Sequence, residues 1–233
     1  MPQRQIMSPI ATNLQAVLTR IAAATQAARL DAGVVALLAV SKTFAPDAVR
    51  DCAAAGQRAF GENYLQEALD KIAALHPLDL EWHFIGPIQS NKTRPIAENF
   101  QWVHSIERAR VALRLNDARP AALPPLNICI QVNVSGEASK SGVAPGETAA
   151  LAQAIGGLPR LKLRGLMAIP EPTPDSALRR QRFALLREIQ NGLIAQGHAL
   201  DTLSMGMSDD LDEAIAEGST MVRVGSAIFG KRA

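Results

Sequence analysis

Three groups of residues in this sequence have chemistry that packing alone does not require. Lys42 stands just after the apolar run Val34–Val40, with only Ser41 between them. An amine whose stem starts in an apolar interior is costly to keep charged, and burial lowers its pKa. The neutral amine is the form that condenses with an aldehyde. The alternative is a lysine whose stem covers apolar surface while its head reaches water at a rim. The second group is Ser204, Gly206 and Ser208, followed later by Gly225 and Ser226. Glycines let backbone N–H groups approach an anion, hydroxyls add donors, and a helix N-terminus favours negative charge. Tight turns and a helix cap would use the same residue types. The third is Arg223, inside the otherwise apolar segment Met221–Gly225. A buried guanidinium needs a partner. It either hydrogen-bonds a ring nitrogen of a ligand and keeps it unprotonated, or closes a structural salt bridge.

The remaining polar residues read as structural. His83 and His104 lie in short strand-like segments and are expected to be satisfied inside the fold. Asp209, Asp210, Asp212 and Glu213 crowd the start of a helix, where the dipole favours acids, so they indicate no metal site. Asn91-Lys92-Thr93-Arg94 is a solvated basic turn or a second anion site. Cys52 and Cys129 have neither metal-ligand spacing nor a disulfide framework and read as two reduced thiols.

These positions are set by a regular alternation of elements. Ile10, Leu14, Val17, Leu18, Ile21, Ala24 and Ala28 recur at helical spacing between Ser8 and Leu30, with Ser8-Pro9 as N-cap and first position. Val34–Val40 is then continuous and apolar, as in a strand buried on both faces of a parallel sheet. Further strands are expected at Arg58–Gly61, Trp82–Gly86, Trp102–His104, Leu126–Val134, Leu161–Ile169, Thr202–Gly206 and Met221–Gly225. Helices are expected between them at Pro46–Gly56, Tyr64–Leu75, up to Glu98, Ile106–Leu115, Thr148–Ile155, Pro174–Gln196 and Asp209–Glu217, the last capped by Ser208. Eight strands with right-handed crossovers predict an α/β fold, a closed (β/α)8 TIM barrel. Ser226–Ala233 is too short for a full final helix, so the N-terminal helix is expected to fill that gap in the outer ring. Lys42, Asn63, Ser204, Met207, Arg223, Gly225 and Ser226 then fall at the C-terminal ends of the strands, where such barrels keep their chemistry, with phosphate sites after strands seven and eight.

Composition narrows the partners. The chain has 233 residues, 48% hydrophobic and 20% charged, which fits one domain over residues 1–233. A formal charge of +2 gives no electrostatic ground for binding nucleic acid or an anionic membrane. Val34–Val40 is too short to span a bilayer, and no apolar signal core precedes it. A cytoplasmic protein is expected.

At the level of motifs the sequence resembles a known family. Ala39-Val40-Ser41-Lys42-Thr43, Phe60-Gly61-Glu62-Asn63-Tyr64, His83-Phe84-Ile85-Gly86, Val132-Asn133-Val134, Ser139-Lys140-Ser141-Gly142, Gly165-Leu166-Met167, Leu203-Ser204-Met205-Gly206-Met207-Ser208 and Arg223-Val224-Gly225-Ser226 are similar to the motifs of the YggS/PROSC family of pyridoxal phosphate homeostasis proteins. The match runs in order over nearly the whole chain. The resemblance implies a fold-type III barrel, similar to the N-terminal domain of alanine racemase, holding pyridoxal 5'-phosphate (vitamin B6) as cofactor. It implies Lys42 as the Schiff-base lysine, Ser204, Gly225 and Ser226 on the phosphate, and Arg223 on the pyridine nitrogen. Asn63 and Met207 would lie near the cofactor. Position 226 is commonly Thr in that family, and Ser keeps the hydroxyl. Pro87 is a departure with no clear consequence.

The resemblance also bears on the role. A protein that stores, buffers or delivers pyridoxal phosphate in the cytosol, to PLP-dependent apo-enzymes as partners, needs no catalytic residue of its own, and is therefore not an enzyme. The alternative is a PLP-dependent amino-acid racemase. Alanine racemases carry a second β domain and a catalytic tyrosine contributed across a dimer, whereas Tyr64 is the one tyrosine here. A two-base racemase needs an acid–base group on each face of the cofactor, and beyond Lys42 no second one is evident. A monomer without the C-terminal β domain is expected. A third reading keeps the barrel and replaces the cofactor with another phosphorylated metabolite.

Overall fold

In the computed structural model, residues 8–137 and 141–230 are described. Eight strands, β1 (Ala36–Val40), β2 (Ala59–Glu62), β3 (Glu81–Phe84), β4 (Trp102–Ile106), β5 (Leu126–Gln131), β6 (Leu161–Met167), β7 (Thr202–Ser204) and β8 (Met221–Val224), pair in sequence order. All the pairings are parallel, and β8 closes back on β1. The expected (β/α)8 barrel is therefore present. The helices are α1 (Pro9–Ala27), α2 (Pro46–Ala54), α3 (Leu65–Ala74), α4 (Thr93–Asn99), α5 (Ala109–Ala118), α6 (Thr148–Ile155), α7 (Ser176–Ala195), α8 (Leu211–Ala216) and the single turn α9 (Ser226–Phe229).

Strand residues alternate between two environments, as a period of two requires. Leu37, Ala39, Phe60, Trp82, Phe84, Val103, Leu203, Val222 and Val224 belong to the large cluster between strands and helices. Leu38, Val40, Ile85 and Met221, and separately Trp102, Cys129 and Met167, pack as distinct inner clusters. This phase assigns the polar strand residues. Arg223 follows Met221 by two and points into the barrel; His83, His104 and Ser204 share the inner phase, whereas Glu62 takes the outer one. Past the end of β1, Lys42 continues the inner phase of Leu38 and Val40, and Ser41 the outer phase of Leu37 and Ala39.

Helix α1 starts as expected, with the Ser8 hydroxyl accepting from the Ala11 amide at 3.2 Å. It packs against α8, α9 and α2, and Asn13 Nδ2 donates to the Ile228 carbonyl at 3.0 Å. It thus fills the outer ring where α9 is only one turn long. Most expected boundaries move by a residue or more, three of them for a visible reason. Ile106 ends β4 instead of opening a helix, because an irregularity between Val103 and Ile106 prolongs the pairing with β5. Strand β7 stops at Ser204, because Gly206 turns the chain with φ +94. Ser208 is not the cap of α8: Asp210 holds that position, and its Oδ1 accepts from the Met207 amide at 2.6 Å. The motif residues Ser139 and Lys140 lie outside the described residues.

Candidate functional site

Four neighbouring strands, β7-β8-β1-β2, bring the polar residues of the C-terminal barrel face into one arc. Register aligns Val40 with Gly61 and Ala39 with Val224. Lys42 and Asn63 each follow these aligned residues by two positions, on adjacent strands. Gly225 lies against the end of β1, where a Cβ would come within 3.0 Å of the Val40 carbonyl oxygen. A side chain there would push β8 away from the Lys42 turn. On the same side, Phe44 stacks on Phe229 of α9, with ring centroids 5.1 Å apart. Lys42 is half-buried, as are Asn63, Met207 and Gly225, whereas Ser226 is exposed.

Asn63 is pressed into place from β3, because a Cβ on Gly86 would overlap the Asn63 carbonyl. Its Oδ1 is buried and has no hydrogen-bond partner among the described residues. A buried acceptor without a donor is unfavourable, so this atom suits a ligand that brings one. Asn63 and Tyr64 line a cleft of about 570 Å³ together with Ile88, Gln89, Lys92 and Arg108. Met207 lines a different cleft, with Pro172, Arg179 and Asp210. Met207 follows β7 and Asn63 follows β2, with β8 and β1 between those strands.

Arg223 is buried in the barrel interior. Nη1 donates to the Ser204 carbonyl at 2.6 Å and to its hydroxyl at 2.8 Å, and Nη2 donates to the Ala168 carbonyl at 2.8 Å. A guanidinium has five N–H groups, so two more can serve a ligand. Among the described residues no carboxylate forms an ion pair with it, so the structural salt bridge is not what holds it. Desolvation lowers its pKa to about 10, against the charge of Asp210, so it stays cationic at neutral pH.

The Ser204 hydroxyl is turned inward, fully buried and shared between Arg223 and His104 Nδ1, the latter at 2.9 Å. The chain of bonds continues. His104 Nε2 meets His83 Nδ1 at 2.9 Å, and His83 Nε2 meets Glu81 Oε1 at 2.9 Å. Burial holds both imidazoles neutral: desolvation drives His104 well below its ordinary pKa and lowers His83 as well. Glu81 is held below its ordinary value, first by the hydrogen bond from His83. An ionised carboxylate only accepts, and that fixes every proton. His83 donates from Nε2, His104 donates from Nε2 to His83, Ser204 donates to His104, and Arg223 donates to Ser204. A single directed chain thus runs through the barrel from the Arg223 guanidinium to a half-exposed carboxylate at the start of β3.

The histidines are satisfied structural residues, as expected, yet they support Arg223 in a way their spacing did not reveal. Lys71 and Glu67 are also absent from the sequence-level site. They hold the residues on either side of Lys42. Cys52 and Cys129 are buried thiols whose pKa desolvation raises to about 12, so neither is a nucleophile.

A family model described as "Alanine racemase, N-terminal domain" matches residues 12–233. A Pseudomonas aeruginosa protein named "Pyridoxal phosphate homeostasis protein" is 63% identical over 226 residues, with 97% of each chain covered. The chain belongs to this family. Its Escherichia coli K12 relative of the same name is 53% identical, with 97% of this chain and 98% of that one covered. Among solved structures, PipY of Synechococcus elongatus with PLP bound superposes with a TM-score of 0.83 at 36% identity, over 95% of this chain and all of that one. Alanine racemase from Corynebacterium glutamicum shares the fold, with a TM-score of 0.71 at 18% identity, and this chain covers 60% of it.

Proposed function

We propose that this barrel, as one domain, binds pyridoxal 5'-phosphate through Lys42 and serves in keeping and handing on the cofactor rather than in transforming amino acids. The observation that supports this most is the state of Arg223, a buried cation held, among the described residues, by neutral acceptors alone, with N–H groups to spare. A ring nitrogen that accepts from it stays unprotonated. When bound, the cofactor supplies an aldehyde for an amine and an electron-accepting ring, and a guanidinium on that nitrogen weakens the ring as an electron sink.

In this reading Lys42 holds the cofactor as a Schiff base, while Asn63 Oδ1 accepts from a polar group at the ring edge. The turn at Gly225 and Ser226 receives the phosphate. The first amides of a helical turn have no carbonyl behind them within it, and the exposed Ser226 hydroxyl adds a donor. We place Ser204 beneath Arg223, which its hydroxyl holds, rather than on the phosphate as the resemblance implies. Met207 closes the side toward the β6 and β7 loops. The relatives' printed names support homeostasis as the role, and the PipY structure supports the cofactor. As partners we propose PLP-dependent apo-enzymes, the chain acting as a monomer in the cytoplasm. Among the described residues no helix is long and apolar enough to cross a membrane.

Adding pyridoxal phosphate to the purified protein should produce an imine absorbance at the edge of the visible range, and Lys42→Ala should not. A panel of amino acids in deuterated solvent checks the absence of catalysis. No exchange of the α-proton above background is expected, and robust exchange of any one of them would make the chain an enzyme.

A further inference from the structure

Lys71 is a buried lysine to which the cofactor-binding reading gives no role. It lies on α3, is 2% exposed, and uses its three N–H groups on three acceptors. These are the Ser41 carbonyl at 2.6 Å, Glu62 Oε1 at 2.7 Å and Glu67 Oε1 at 2.5 Å. Glu62 is itself fully buried, and its Oε1 also accepts from the Ser41 hydroxyl at 2.6 Å. Glu67 Oε1 accepts from the Thr43 amide at 2.5 Å. The cluster therefore grips the main chain immediately before Lys42 and immediately after it.

A cluster that merely pinned α3 to the barrel would need only the contacts between Lys71 and Glu62 of β2. Here three of the five bonds go to the residues flanking Lys42. Thr43 shows why the turn needs holding. Its φ is +69, a left-handed conformation that a β-branched residue adopts only where the surroundings impose it. The alternation along β1 then does the rest. With Ser41 fixed to the outer phase by Glu62 and Lys71, Lys42 must leave the strand toward the barrel mouth.

We propose that Lys71, set between Glu62 and Glu67, is a positioning residue for the Lys42 amine, fixing the main chain on both sides so that the nitrogen is presented to an aldehyde inside the barrel mouth. This rests on the reading of Lys42 as the residue that joins the cofactor. In that step the Lys42 nitrogen bonds to the aldehyde carbon. The aldehyde oxygen leaves as water with the two protons of the neutral amine, and nothing is oxidised or reduced. Lys71 cannot take this role itself, because all three of its N–H groups are committed.

Two probes separate positioning from simple structural support. Pyridoxal phosphate reports imine formation, while pyridoxine phosphate, with an alcohol in place of the aldehyde, reports only phosphate and ring binding. Lys71→Met should slow imine formation about tenfold or more, as expected when a reacting group is displaced, and leave pyridoxine phosphate affinity within about twofold. Lys71→Arg, which keeps the charge and the donors, should recover most of the rate. Should Lys71→Met not fold, Glu67→Ala tests the same point by removing the acceptor of the Thr43 amide, with a smaller slowing of the same kind. Unchanged imine formation in a folded variant, or an equal loss with both probes, would overturn the proposal. A wild-type protein that forms no borohydride-reducible imine would instead overturn the Lys42 reading, whatever the variants do.

Discussion

Two of the buried cations among the described residues, Lys71 behind β1 and β2 and Arg223 inside β8, are held in opposite ways. Lys71 is neutralised by two carboxylates, one of them fully buried. Arg223 is bonded to two carbonyls and a hydroxyl; Asp210 acts on it through space, and its hydrogen-bonded connection to a carboxylate is the relay through Ser204, His104 and His83 to Glu81. The difference follows from position. The outer phase of the strands faces helices, which can supply Glu67 and Lys71 one turn apart. The inner phase faces other strands, where main-chain carbonyls at strand ends are the available acceptors. Lys71, compensated by charge and with all three N–H groups bonded, can only hold its neighbours in place. Arg223, compensated by dipoles, keeps two N–H groups to spare, and we assign the cofactor to it.

Stability measurements distinguish the two cations. Lys71→Met leaves Glu62 buried without its counter-charge and is expected to cost about 3–5 kcal/mol in urea unfolding, the range for breaking a buried pair. Arg223→Met leaves only neutral acceptors unpaired and is expected to cost about 1–3 kcal/mol. Equal losses would mean that the two sites are not held differently. Ser204→Ala removes the hydroxyl between Arg223 and His104. It should cost about 1–2 kcal/mol and weaken the binding of both pyridoxal phosphate and pyridoxine phosphate, since it loosens Arg223 rather than Lys42. An effect on pyridoxal phosphate alone would place Ser204 on the wrong arm.

The relay also gives a pH signature. His83 and His104 are lowered in the folded state, first by desolvation, so the unfolded chain binds more protons as pH falls below about 6.5. Their contribution is complete above that pH and is lost as pH falls toward the folded values, at up to about 1.4 kcal/mol per pH unit for each histidine. Glu62 is raised by burial and has the opposite sign, its contribution being lost as pH rises through its folded pKa. It is common to wild type and variants, so a difference isolates the histidines. His104→Asn should unfold with a shallower dependence between about pH 6.5 and 5 than the wild type. An unchanged slope would show that His104 is not held neutral.

Much of the barrel is legible in the sequence because apolar runs alternate with glycine-punctuated helices, and parallel strands bury both faces. Lys42 and Arg223 are legible for a related reason, as long cations beside or within such runs. Ser204 is only half legible. Its place at the end of β7 is clear, but which way its hydroxyl turns depends on a pleat phase that three strand residues do not declare. The relay and the Lys71 cluster are hidden more deeply. His83, His104, Ser204 and Arg223 come from four strands and meet only once the barrel closes. Lys71 looks like any helix lysine until α3 is laid over Glu62. The shifted start of α8 has a simpler cause: Ser208 and Asp210 are both good capping residues, and the Asp210 bond to the Met207 amide decides between them.

The cofactor site centres on the Lys42 nitrogen. Wild-type protein should be mixed with pyridoxal phosphate, reduced with borohydride, digested and mapped by mass spectrometry. A single pyridoxyl-phosphate adduct on the peptide containing Lys42, absent from Lys42→Ala, is the predicted result. A predominant adduct on another lysine, or a reducible adduct of equal yield in Lys42→Ala, would contradict the assignment on which the site is built.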